Sequence, residues 1–174
     1  MPRVSLRFEF RIPLGVPAAA AYAWCTDFAP SDGALFSGGG RRRVLRLADG
    51  ALVLTDTTFP DGRRRTIRRL VHLDPTHRAW TNTHLTGPFR HSQYWYRVVP
   101  DGPRRSHLEF RGFRIVTTPR PLSAAEERDA TRAERAGDRA HWRERLVPAL
   151  RRELLGPGGG AAGASRTRRR RRAA

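Results

Sequence analysis

The sequence contains no lysine: its 34 basic residues are all arginines, set against 16 acidic residues for a formal net charge of +18. A surface built to hold nucleic acid usually mixes the two cations. Arginine alone, with abundant Ala, Gly and Pro, reads instead as the codon bias of a GC-rich genome. The charge still attracts polyanions non-specifically. Cys25 is the single cysteine, which excludes an internal disulfide and fits a reducing compartment. No apolar run nears the ~18 residues needed to span a bilayer. Arg3, Arg7, Glu9 and Arg11 interrupt any apolar core of a secretory leader. The expectation is a soluble, cytoplasmic protein without a transmembrane segment.

Signals for metals and nucleotides are equally sparse. The six histidines (72, 77, 84, 91, 107 and 141) show no zinc-type spacing. Gly38-Gly39-Gly40-Arg41 lacks the Lys and Ser/Thr of a phosphate loop, and no serine sits in a nucleophile elbow. No metal and no cofactor is expected.

The chain does carry enough apolar material for one ordinary domain, with 174 residues and 39% hydrophobic content. Val4, Leu6, Phe8, Phe10 and Ile12 alternate with Arg3, Ser5, Arg7, Glu9 and Arg11, which predicts a half-buried strand. Pro13 and Gly15 end it. Pro17 suits a helix first turn, and Ala18 to Phe28 form a short helix stopped by Ala29-Pro30-Ser31-Asp32-Gly33. Ala34 to Phe36 offer a second short helical turn, before a flexible Gly38 to Gly40.

From Arg41 the pattern turns to hairpins. Val44–Leu47 pairs with Ala51–Phe59 across Asp49-Gly50, a favoured hairpin turn. Further turns at Pro60-Asp61-Gly62, Asp74-Pro75-Thr76, Gly87-Pro88 and Pro100–Pro103 separate strands over 65–73, 78–86, 89–99 and 106–117. In the last strand the apolar phase moves from Leu108 and Phe110 to Phe113 and Ile115. A flip at Gly112 predicts a β-bulge.

Ser123 and Glu126 have capping-box spacing, so a long helix starts there. Its first part, to Ala136, is charged and exposed, and Gly137 is expected to loosen it. Trp142, Leu146, Leu150 and Leu154 then form an apolar stripe beside Val147, Pro148 kinks the helix, and Gly156 ends it. Residues 157–174 hold only Gly, Ala, Ser, Thr, Pro and Arg, a composition that predicts a disordered Arg-rich tail after a domain over 1–156.

This order (strand, two short helices, meander, long C-terminal helix), with the segment Gly15 to Phe28 after the first strand, resembles the SRPBCC superfamily. That group includes START-like domains, birch-pollen-allergen-like proteins and polyketide cyclases/dehydrases. The resemblance covers about residues 3–155. It implies an α+β helix-grip fold: a seven-stranded curved antiparallel sheet around the C-terminal helix, with an apolar cavity between them for a hydrophobic small molecule. The charged stretch Ser123–Ala136 departs from a helix that covers a cavity.

Candidate site residues follow from strand phase. Trp80, Asn82 and His84 share one face. If Trp80 points inward, Asn82 and His84 line the cavity, with His84 as a candidate catalytic acid/base and Asn82 as a carbonyl-binding amide. A hydrogen-bonded structural pair, or a solvent face, uses the same residues. The strand 89–99 offers two faces: His91, Gln93 and Trp95, or Tyr94, Tyr96 and Val98. The second would give ligand-binding Tyr94 and Tyr96, or plain core aromatics. Phe110, Trp142 and Leu146 complete the ligand-binding set. Asp56 shares a face with Leu52 and Leu54 and would need Arg69 or Arg65 as partner if buried. Function therefore reads as binding of a lipid, polyketide or quinone-like molecule. The alternatives are a polyketide cyclase/aromatase-type enzyme, or an Arg-rich module contacting nucleic acid or anionic surfaces non-specifically through its tail.

Overall fold

The computed structural model describes residues 1–35, 39–59 and 62–156. The opening alternation forms β1 (Arg3–Pro13), in which exposed and buried positions alternate without interruption. Helix α1 (Ala18–Thr26) and a 3-10 turn (Pro30–Leu35) follow. Then come β2 (Gly40–Ala48), β3 (Ala51–Thr58), β4 (Arg65–Asp74), β5 (Ala79–His84), β6 (Gln93–Pro100) and β7 (Ser106–Thr117). The chain continues as α2 (Ala124–His141), a π-helical turn (Trp142–Leu146) and α3 (Val147–Leu155).

The seven strands form one antiparallel sheet in the order β1-β7-β6-β5-β4-β3-β2. Strands β2 to β7 are a meander because each tight turn returns the chain beside itself. Gly50, at φ +76°, supplies the left-handed turn between β2 and β3. The even-numbered side chains of β1 and β7 face the helices. Phe10 stacks on Phe110 at 4.4 Å, and Leu150 of α3 is fully buried in the same core. This is the expected α+β architecture.

Several local expectations change. The segment Pro30–Leu35, expected to stop α1 and then restart, is itself one 3-10 turn. Phe36, Gly38 and the turn residues Pro60 and Asp61 lie outside the described residues, as does the expected tail at 157–174. Strand β6 starts at Gln93 instead of Phe89. His91 has φ +72°, so the chain turns there and leaves Phe89 in the connection.

The expected bulge at Gly112 is absent. The register runs unbroken on both sides, with Phe8 and Tyr94 opposite Gly112. The alternation misled because the inward positions after Phe110 are Gly112 and Arg114, while Phe113 and Ile115 face outward. Glycine is needed there for another reason: a Cβ would lie 2.8 Å from the Phe8 ring. Gly112→Ala should therefore cost about 1–3 kcal/mol by overpacking. Urea denaturation measures it, and an unchanged midpoint would show that Phe8 can move aside freely.

Gly137 does not break α2, which runs through it to His141. Ser123 and Glu126 form the expected capping box. Pro148 acts differently from a simple kink. It has no N–H to bond the carbonyl of Glu144, and the turn before it widens so that the Val147 N–H donates to the Trp142 carbonyl. The wider turn shifts the apolar stripe by one residue. Val147 is buried where an α-helix would place Leu146, which is only half-buried.

Candidate functional site

Between the even face of the sheet and the helices lies a cavity of about 300 Å³. Trp80, Asn82, His84, Tyr94, Tyr96, Phe110, Trp142 and Leu146 all line it. They meet because the period-two phase of β5, β6 and β7 turns each of them toward the same side. Trp80 and Tyr96, cross-strand partners, stack at 4.8 Å and 1°. Trp142 closes from the π-helical turn, 6.1 Å from the Tyr96 ring. These rings make a broad apolar wall.

Polar and charged side chains also line the cavity. Asp56 is buried on the inner face, held by Arg69 as expected and also by Arg42, whose Nε donates to it at 2.8 Å. Arg42 donates to Asp32 as well, at 2.8 Å. Arg65 plays no part in this cluster. Arg42 escaped the sequence reading because β2 begins at Gly40, four residues before the apolar stretch that marked it. Burial, and then the neighbouring charge of Arg42, lower the Arg69 guanidinium to about 10.

Arg114 is the second residue that sequence reasoning missed. It is buried on the inner face of β7. Its Nε donates to the Tyr94 hydroxyl at 2.8 Å, and its terminal nitrogens reach Asp138 at 2.9 Å and Glu134. The guanidinium lies over the Phe89 ring at 4.4 Å. The even-position run Leu108, Phe110, Gly112, Arg114 was the available signal. An arginine in that series breaks an apolar face only if nothing inside receives it. Here α2 supplies both carboxylates, Glu134 from the charged stretch that seemed ill-suited to covering a cavity and Asp138 from just beyond it.

His84 faces Arg69 across the β4–β5 register, with its ring 5.2 Å from Tyr94 and 6.4 Å from Phe89. Its Nδ1 is buried without a hydrogen-bond partner among the described residues. Burial, followed by the charges of Arg69 and Arg114, depresses its pKa to about 3. The imidazole is therefore neutral at physiological pH. A histidine that ionises less readily folded than unfolded favours unfolding by acid. Below the ordinary value near 6.5 the unfolded chain binds the extra proton, so stability falls as pH drops from there toward 3. In urea titrations at stepped pH, His84→Asn should flatten that decline. An identical slope in both proteins would place the acid sensitivity elsewhere.

Asn82 is 4% exposed, and its Oδ1 likewise has no partner among the described residues. Tyr96 ionises only well above its ordinary value, mainly through burial, opposed by the charge of Arg69 and a hydrogen bond with Asn82. Gln93 and Trp95 face the other way, away from the helices. With Arg7, Arg111 and Phe113 they line a larger open trough of about 750 Å³ on the outer side of the sheet. Arg111 covers Trp95 there at 5.0 Å. The cavity between sheet and helices is the less open of the two, and with the buried polar atoms of its lining residues it is the better candidate site. No group of three His, Cys, Asp or Glu among the described residues is placed to hold a metal ion. No helix among them is long and apolar enough to cross a membrane.

No protein-family model and no curated protein matches the sequence. Solved structures do. The Zhui aromatase/cyclase from a Streptomyces species aligns over 90% of this chain and 99% of its own, with TM-score 0.71 and 17% identity. A START superfamily protein from Mycobacterium smegmatis aligns over 83% and 97%, with TM-score 0.62 and 16% identity. Norcoclaurine synthase from Thalictrum flavum, in complex with dopamine and hydroxybenzaldehyde, aligns over 85% and 87%, with TM-score 0.59 and 14% identity. At such identities the likeness is one of architecture, and it agrees with the sheet order and the long C-terminal helix. The chain has the helix-grip fold that these solved structures share.

Proposed function

We propose that this protein binds a hydrophobic small molecule in the cavity between its sheet and its C-terminal helix. The observation that carries this reading is a hollow of about 300 Å³ walled by stacked rings, with a few polar side chains among its lining residues. That combination is the usual make-up of a ligand site. A helix-grip structure holding dopamine and hydroxybenzaldehyde supports it by example. The test is a titration of the pure protein with fluorescent flavonoids, naphthols and fatty acids. Saturable binding to at least one class is expected; its absence across all three would overturn the reading.

A second reading, an enzyme of the cyclase/aromatase kind, is favoured by the convergence of His84, Asn82, Arg69 and Tyr96 on one end of the cavity. In that reading His84 accepts a proton from an acidic C–H or phenol, and Asn82 binds the substrate carbonyl. Its depressed pKa makes His84 a weak proton acceptor in the empty cavity, so binding stands first. His84→Ala should abolish any turnover while ligand binding, though weaker, stays measurable. An Arg-rich C-terminal segment, Arg168 to Arg172, adds non-specific attraction to nucleic acid or anionic surfaces in this proposal. A single cysteine is the argument for placing the protein in the cytoplasm.

A further inference from the structure

Three buried polar atoms without partners among the described residues belong to residues that line this one cavity: Arg69 Nε, Asn82 Oδ1 and His84 Nδ1. Their placement is fixed by the sheet. Arg69 and His84 are directly opposed on β4 and β5, and Asn82 lies two residues from His84 on the same face. A buried polar group left unpaired loses the hydrogen bonds it had in water, so three in one patch mark what an occupant must supply. Their chemistry is complementary and specific. Arg69 can only donate, so it requires an acceptor oxygen. Asn82 Oδ1 can only accept, so it requires a hydroxyl. Neutral His84 offers either role.

The volume sets the second constraint. A cavity of about 150 Å³ holds one benzene ring, and this one is about 300 Å³. Two fused rings fit. Long acyl chains and molecules of four rings would have to extend out through its mouth, since this volume is at the lower end for ligand pockets. The lining is aromatic to match: Trp80 and Tyr96 stack on each other at 4.8 Å, and the Phe110 and Trp142 rings lie 5.1 and 6.1 Å from Tyr96, so a further ring finds faces and edges to pack on.

We propose that the ligand is a planar two-ring compound carrying a carbonyl and a hydroxyl on one edge, with the carbonyl oxygen on Arg69 and the hydroxyl on Asn82 and His84. This rests on the cavity being the binding site, and it selects within the lipid, polyketide and quinone-like classes. It excludes lipids.

Calorimetry on the full chain with a graded series tests it: 7-hydroxy-1-tetralone (whose hydroxyl is not tied to its own carbonyl), 1-tetralone, naphthalene and palmitate. The hydroxy-ketone should bind at least about tenfold more tightly than 1-tetralone, because a site built to bond a hydroxyl rejects the analogue without it. Naphthalene should bind more weakly again, and palmitate not measurably. In Asn82→Leu, which keeps the side-chain volume and removes the acceptor, the preference for the hydroxy-ketone over 1-tetralone should vanish. If that variant does not fold, the ligand series on the unaltered protein still decides. Equal affinity for hydroxy-ketone, ketone and naphthalene would overturn this proposal and leave the cavity as a plain apolar container. Palmitate binding as tightly as the hydroxy-ketone would overturn it on size. Failure of all four ligands to bind, with flavonoids and naphthols equally inert, would instead remove the binding function itself.

Discussion

Arg114→Met should destabilise the protein by about 3 kcal/mol, read from urea denaturation at neutral pH. Removing one member of a buried ion cluster leaves its partners charged and unpaired, a loss of about 3–5 kcal/mol. The lower end applies because the Glu134 and Asp138 side chains keep 29% and 25% of their surface exposed. Methionine fills much of the arginine's space, so the loss is electrostatic more than a loss of packing. Two further measurements separate the causes. Adding Glu134→Gln and Asp138→Asn removes the stranded charges and should restore most of the stability. The deficit should also shrink in acid. Burial already raises the Asp138 pKa, with Arg114 opposing that rise. Without the arginine the pKa rises further above its unfolded value. A carboxyl raised in this way weakens the fold as pH increases through the unfolded value, so the variant recovers as pH falls and Asp138 takes its proton. A deficit that persists unchanged in acid and in the triple variant would mean Arg114 acts through packing on Phe89 alone.

The same residue shows why part of the site was hidden in the sequence. Strand phase is read from apolar residues, and at Gly112 and Arg114 the inner face of β7 stops being apolar. The outward Phe113 and Ile115 then carry the louder signal and mimic a bulge. Only the long-range partners Glu134 and Asp138, twenty or more positions away, make an inward arginine affordable. Pairing of that kind leaves no local trace. Arg42 was lost in the same way, since three successive arginines read as a solvated loop until Asp56 and Asp32 are seen to flank the middle one.

Elsewhere local physics sufficed. The alternation in β1, the Asp49-Gly50 turn and the Ser123–Glu126 capping box each impose their own geometry, so the order of elements was legible. Trp80, Asn82 and His84 meet Tyr94, Tyr96 and Phe110 because a single inward aromatic sets the phase of each strand. The start of β6 was misplaced because Phe89 has strand-like character, while the positive φ that ends the preceding turn falls on His91, a residue without the usual glycine signature. Burial on an apolar face is by itself enough to keep His84 neutral; what no pattern could give is the further push from two arginines brought from other strands.

Trp142→Ala should cost about 3–5 kcal/mol, the range for removing a large buried aromatic. The residue is 7% exposed, touches the Tyr96 ring, and starts the π-helical turn that sets the phase of α3. Typical domains have about 5–15 kcal/mol in total, so the variant should lose a large share of its margin. Three consequences distinguish a packing role from a local one. Trp142→Phe, which keeps a ring against Tyr96, should cost far less. Leu150→Ala should rival Trp142→Ala, since Leu150 is fully buried, whereas Leu146→Ala should be mild because the wide turn has moved Leu146 toward the rim. The enlarged cavity in Trp142→Ala should also bind four-ring ligands more tightly than the unaltered protein does. A thermally neutral Trp142→Ala would show that α3 is held by Val147 and Leu150 alone, and that the π-helical turn serves only to shape the wall of the cavity.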